Sequence, residues 1–320
     1  MVSAKIAIAV VGVLVATVGA APSATAEPMA GNGLVCQALP AAVGVPEREP
    51  GAALSGPSTP AWNAHVAYVE WALSVSPSTE ELFTQPAGRW TQDRVRQQNA
   101  ILDEYWQLHN GDGLPREGRA IIAGGVSGAG KTTVLEGQPA IERQLYLDID
   151  PDEVKEMMAA RSMIPVIAGL SPMEASAKAH EEASMLAKRL AERAYRQQTN
   201  VIWDITMSTE ASVRDRVAAM REAGYGQIDG VFVETDLDTA RLRVMQRWQR
   251  GQERYWSGEG LGGRYVPADF IAMSEPDKPG YSSRNQQIFE QVRGEFSSTV
   301  EYDSSGAEPI VRCVSGPRWM

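Results

Sequence analysis

Between residues 119 and 235 the chain alternates short apolar runs with long amphipathic stretches. RAIIAGG (119–125), LYLDID (145–150), NVIWDIT (200–206) and DGVFVET (229–235) have strand length and little polar interruption. Between them lie DEVKEMMAARS, SAKAHEEASMLAKRLAERAYRQQ and STEASVRDRVAAMREAGY, whose apolar positions recur at helical spacing. Short apolar strands separated by long amphipathic helices predict an α/β fold, a parallel sheet covered by helices on both faces. No internal repeat is present.

Upstream, AWNAHVAYVEWALSV and TQDRVRQQNAILDEYWQL are helical in pattern, with Thr91 and Asp93 able to cap the second. They predict a small helical N-terminal subdomain over 61–115, ahead of a domain over 116–315. From about Asp236 the chain reads as charged and helical, then loop-rich. Residues 27–60 are rich in Pro, Gly, Ala and Ser without periodicity, which predicts a flexible arm.

The first 26 residues follow a different logic. Lys5 precedes an apolar run from Ile6 to Ala21, and Ala24-Thr25-Ala26 forms an A-x-A site before Glu27. This order is that of an export signal, and the run is short for a spanning helix, which needs about 20 apolar residues. A used signal makes the chain secreted or envelope-bound, with no stable membrane insertion after cleavage; a downstream start makes it cytoplasmic.

The net charge of −10 disfavours nucleic acid as a partner, because sequence-independent binding depends on Lys and Arg neutralising phosphates. The two cysteines, Cys36 and Cys313, lie near opposite ends of the mature chain and could pair in an oxidising compartment.

Residues 125–132 read GVSGAGKT, matching G-x-x-x-x-G-K-[ST]. The candidate nucleotide-binding residues are Gly125, Val126, Ser127, Gly128, Ala129, Gly130, Lys131, Thr132 and Thr133. Main-chain N–H groups and the following helix start favour phosphate. Lys131 reaches the β- and γ-phosphates, and the Thr132 hydroxyl suits Mg²⁺. The strand RAIIAG before the loop and the short helix KTTVLEG after it supply the context the motif requires. The fold class is therefore a P-loop NTPase-type α/β sheet with a helical N-terminal subdomain, and the cofactors are ATP or GTP with Mg²⁺. No N-K-x-D occurs to read guanine in a switch GTPase, so a small-molecule kinase fits better.

The acceptor side begins at LDIDPDEVKEMM. Asp150 is placed to be an N-cap, Pro151 the first helical residue and Glu153 the far member of a capping box. Asp152 is left over, at the strand end where open α/β sheets bind ligands; there it can take the proton of an attacking hydroxyl. Glu182 falls at the edge of the apolar stripe of SAKAHEEASMLAKRL, able to lean into a pocket, whereas Glu181 faces the other way. Asp204 and Thr206 end the NVIWDIT strand, Asp204 as a candidate Mg²⁺ partner. The segment RLRVMQRWQRGQERYWSGEGLGGRYVP carries Arg241, Arg243, Arg247, Arg250, Arg254 and Arg264, with Gly258, Gly260, Gly262 and Gly263 expected to make its second half a mobile arginine lid near 241–267.

In this order, GVSGAGKT, the D-P-D-E-V-K segment, HEEAS, NVIWDIT and R…GGRYVP resemble the zeta toxin family of P-loop kinases over roughly residues 85–290. The resemblance implies phosphorylation of a sugar hydroxyl of UDP-N-acetylglucosamine by ATP or GTP, in a toxin–antitoxin setting with an antitoxin protein as partner. It implies Lys131 and Thr132 at nucleotide and Mg²⁺, and Asp152 as the base within D-x-φ-K. It also implies Glu182 and Thr206 at the nucleotide sugar, and Arg247 and Arg264 at the transferring phosphoryl group. The alternatives are a kinase for another small hydroxyl acceptor and a secreted, non-catalytic binding protein.

Overall fold

The computed structural model describes Gln37–Ala38, residues 60–86 and residues 88–319. Of two compact units, Met1–Gly33 and Leu34–Met320, only the second contains described residues. The export signal expected over 1–26 lies outside them, as does the arm over 27–60 apart from Gln37–Ala38 and Pro60.

The elements in chain order are β1 (Gln37–Ala38), α1 (Pro60–Val75), α2 (Thr79–Phe83), β2 (Thr84–Gln85), β3 (Arg89–Trp90), α3 (Gln92–Leu108), β4 (Arg119–Gly124) and α4 (Lys131–Gly137). Then come β5 (Leu147–Ile149), α5 (Pro151–Ala160), α6 (Pro172–Ala175), α7 (His180–Gln197), β6 (Val201–Asp204) and α8 (Glu210–Glu222). The chain continues through β7 (Gln227–Glu234), α9 (Leu237–Trp256), α10 (Ala268–Ala272), α11 (Arg284–Val292), β8 (Ser298–Asp303) and β9 (Ile310–Ser315).

The main sheet has the order β1-β9-β8-β7-β4-β6-β5. Its five-strand centre, from β8 to β5, is parallel; β9 and β1 add an antiparallel margin. β4 is central, and its alternation divides the interior. Ala120 and Ile122 face a core shared with α3, α5 and α7, while Ile121 and Ala123 face a second core with Val134, Leu135 and Val244. Both faces are covered, which is why β4 reads as one continuous apolar run. Trp62 and Val69 of α1, and Ile101, Tyr105 and Trp106 of α3, belong to the first of these cores.

The C-terminal expectation is corrected. Where a loop-rich tail was expected, β8 and β9 complete the sheet. β8 escapes the apolar-run signal because its buried residues include Thr299 and Glu301, which Arg293 satisfies at 2.8 and 3.0 Å. Cys313, on β9, is disulfide-bonded; Cys36 lies outside the described residues. Among the described residues no helix is long and apolar enough to cross a membrane.

Candidate active site

The phosphate loop leaves the C-terminal end of β4 and enters α4. Gly125, Gly128 and Gly130 have φ of 144°, 87° and 84°. At Gly128 a Cβ would also lie 2.5 Å from the Ala240 carbonyl, so both backbone and space demand glycine. Val126 and Ala129 turn into the second core. Ser127, Gly128, Gly130, Lys131, Thr132 and Thr133 face a cleft of about 1000 Å³. Lys131 Nζ donates to the Gly125 carbonyl at 3.0 Å and lies 3.4 Å from Asp204 Oδ1 at the end of β6.

Across the same cleft stands the start of α5. Asp150 caps the helix, accepting from the Asp152 N–H at 2.8 Å, and Pro151 opens it. Asp152 is held by two cations: Lys155 at 3.1 Å on Oδ1, and Arg264 on Oδ2. Burial pushes the Asp152 carboxyl up, but Arg264, Lys155 and Arg247 together hold it below the usual range. Its neighbour behaves oppositely: burial, then the charges of Asp204 and Asp152, push Asp150 up to about 7. Burial also raises Asp204, against the pull of Lys131. Three carboxylates thus line one end of the cleft, Asp152 held down by its cations and Asp150 and Asp204 pushed up by burial.

Arg247, from α9, lines the cleft and makes no ion pair among the described residues. Burial and the nearby Arg264 lower its proton affinity. Thr206 also lines the cleft, its loop pinned by Asn285 Nδ2 donating to the Thr206 carbonyl at 2.6 Å. Thr132 and Asp204 both line the cleft, which puts a hydroxyl and a carboxylate on its wall. This small set suits Mg²⁺, which takes one or two carboxylates and completes its shell with phosphate and water.

Three expectations fail on geometry. Glu182 does not reach the cleft. It is fully buried, accepting from Arg94 Nε and Nη2 at 2.8 and 2.7 Å and from Gln98 Nε2 at 2.8 Å. Its lone pairs are spent on holding α3 to α7; Glu181 is exposed, as expected. Glu153 does not complete a capping box on α5, but accepts from Tyr105 Oη of α3 at 3.0 Å and meets His109 Nε2, just past the end of α3, at 2.9 Å. Of the four glycines expected to loosen the lid, Gly262 and Gly263 are closely packed: a Cβ on Gly262 would lie 2.1 Å from Ser171 Oγ, at the start of α6, and one on Gly263 2.1 Å from the Trp248 carbonyl of α9, whereas a Cβ on Gly258 or Gly260 would meet nothing within 4 Å.

Two residues with a part in the site were missed. Ser304 Oγ donates to the Ala129 carbonyl, and Arg243 bonds the Gly128 carbonyl at 3.4 Å and the Ser304 carbonyl at 2.6 Å. Together they brace the phosphate loop from behind. Ser304 follows β8, so no reading lacking β8 could place it there; Arg243 was legible only as one of six arginines.

Residues 114–275 match the model of the zeta toxin family. No curated protein matches the chain. Among solved structures, the AvrRxo1-ORF1:AvrRxo1-ORF2 complex with sulphate ions is 16% identical, covering 74% of this chain and 76% of that one, with a TM-score of 0.54. The same complex with ATP gives 16% identity, 74% and 76% coverage, and a TM-score of 0.53. A structure from the PezAT chromosomal toxin–antitoxin system of Streptococcus pneumoniae is 18% identical over 69% of this chain and 81% of that one, with a TM-score of 0.48. At these identities the likeness is one of fold.

Proposed function

Because the chain belongs to the zeta toxin family and is thereby a phosphotransferase, we propose that it transfers the γ-phosphoryl group of ATP to a sugar hydroxyl of UDP-N-acetylglucosamine. The observation that carries this reading is the pairing of Asp152 with Arg264 in the cleft that Lys131 and its loop also line. A carboxylate kept ionised beside the phosphate loop suits a base for an alcohol.

The roles follow from the charges. Main-chain amides of the loop and Lys131 grip the nucleotide's phosphates. Arg247 and Arg264 offset the charge that develops on the moving phosphoryl group. Asp152 orients the acceptor hydroxyl and takes its proton. Thr206 contacts the acceptor. Thr132 and Asp204 would hold Mg²⁺, which supplies charge neutralisation at the β- and γ-phosphates. ATP is the favoured donor, since a complex of similar fold is described with ATP. An antitoxin partner, a kinase domain over 116–315 with a 61–115 helical subdomain, and export by the 1–26 segment belong to the same reading. A mature N-terminus at Glu27 in culture medium supports export.

Incubation with γ-labelled ATP, Mg²⁺ and UDP-N-acetylglucosamine tests the reading. Label in the nucleotide sugar supports it. Label only in a different hydroxyl compound replaces the acceptor, and no label in any acceptor removes the kinase reading.

A further inference from the structure

Arg264 is fastened on both sides. Before it, the Gly263 N–H donates to Gln252 Oε1 at 3.2 Å. After it, Tyr265 Oη donates to Glu70 Oε1 at 2.6 Å, and the Tyr265 ring sits edge-on to Trp248 at 4.7 Å. Burial, then the Glu70 acceptor, keep the Tyr265 proton in place.

Both fastenings lead back to α1. Gln252 Nε2 donates to Glu174 Oε2 at 2.8 Å. Glu174 is fully buried, and its oxygens also meet Trp248 Nε1 at 3.0 Å, the Ser171 N–H at 2.9 Å and His65 Nε2 at 2.7 Å. His65 and Glu70 both stand on α1, and Trp62 of the same helix packs on Trp248 at 4.5 Å. A buried carboxylate is costly unless every lone pair is used, and apolar residues would fill the space without that requirement. What the polar network adds is a fixed geometry for the backbone bearing Arg264. None of His65, Glu70 or Glu174 lines the cleft, and α1 lies outside the 114–275 match.

We infer that α1 is part of the phosphoryl-transfer apparatus: through His65–Glu174–Gln252 and Glu70–Tyr265 it positions Arg264 over Asp152. His65, Glu70 and Glu174 are positioning residues. The functional half of this inference rests on the kinase reading; the structural half does not. Misplacing a reacting group by about 1 Å can cost about 10²-fold in rate, so a loosened Arg264 is felt in transfer and not in nucleotide binding.

The test uses the full chain and the variants E70A, H65F and E174Q, with amide hydrogen exchange and steady-state kinetics. The expected result is exchange over 257–267 faster by about tenfold or more, with β4 and the phosphate loop unchanged. kcat falls by about tenfold or more while the Kd for ATP stays within about twofold. Unchanged exchange over 257–267, or a loss of kcat that only tracks a loss of ATP affinity, overturns the inference. Glu70 is exposed, so E70A keeps the fold and decides the matter should E174Q fail to fold. If the unmodified chain transfers no phosphate, the kinase reading fails, and the exchange data still judge the anchor.

Discussion

Arg264 is paired with Asp152 in the cleft that the Lys131 loop also lines. With Lys155 on the other oxygen, each carboxylate oxygen of Asp152 carries a cation. In the proposed reaction a γ-phosphate would draw Arg264 away from Asp152 and free one carboxylate oxygen for an acceptor hydroxyl. Replacing Arg264 by alanine should therefore reduce transfer by about 10³-fold or more and raise the acid limb of the pH–rate profile, as Asp152 loses the main cation holding it ionised. A profile that keeps its acid limb would detach Arg264 from the base.

Arg247 gives a cleaner test of charge stabilisation, because it has no ion pair to lose among the described residues. Arg247→Ala should leave the melting temperature within about a degree or two, because the side chain is exposed at the cleft wall and has no ion pair to lose among the described residues. Transfer should fall by about 10³-fold. Thermal melts alongside labelled-ATP kinetics check both halves.

Lys131→Ala should weaken ATP binding by tenfold or more, by the order of a lost charge-assisted contact worth about 1.5–3 kcal/mol. It also leaves Asp204 without its cation, so the Asp204 carboxyl should titrate at higher pH than in the unmodified chain. Calorimetric ATP titration reads the first effect and carboxyl NMR the second.

Glu182→Ala should act on stability and not on nucleotide binding. It strands Arg94, which is 2% exposed, without its carboxylate. Breaking such a buried pair costs about 3–5 kcal/mol, visible as a lower urea midpoint. ATP affinity should be unchanged under conditions where the variant is folded. A Glu182 variant of normal stability that lost acceptor affinity would restore this residue to the cleft.

Asp150 makes stability depend on pH. Its carboxyl is raised to about 7 in the folded state from an ordinary 3.8. The folded state therefore holds a proton that the unfolded state releases first, and stability falls as pH rises from about 4 to about 7, then levels. Asp150→Asn should flatten that slope in nucleotide-free protein, measured by denaturant titrations at pH 5 and pH 8. An equal slope in both proteins would place the proton elsewhere.

The parallel centre of the fold was legible because β4, β6 and β7 are buried on both faces and so read as apolar runs ended by polar residues. The phosphate loop was legible because positive φ and close approach leave glycine little competition at 125, 128 and 130. The cap at Asp150 and Pro151 was legible because it is local. What was not legible depends on partners distant in sequence. Glu182 looked like a site residue at the edge of an apolar stripe; its real partner, Arg94, lies 88 residues away. Glu153 fitted a local capping box yet is taken by Tyr105 and His109. β8 was hidden because its polar side chains are buried against Arg293. Gly258, Gly260, Gly262 and Gly263 together suggested a mobile lid, whereas Gly262 and Gly263 are held close against Ser171 and Trp248, a distinction that composition does not carry.

The central claim is that Asp152 activates an alcohol for attack on a phosphoryl group held by the Lys131 loop. The most direct measurement follows label from γ-labelled ATP into UDP-N-acetylglucosamine with the unmodified chain and with Asp152→Asn, at matched ATP occupancy. The account predicts labelled nucleotide sugar from the first and a loss of about 10²–10⁴-fold from the second, with ATP still bound. Equal labelling by the two proteins would contradict it.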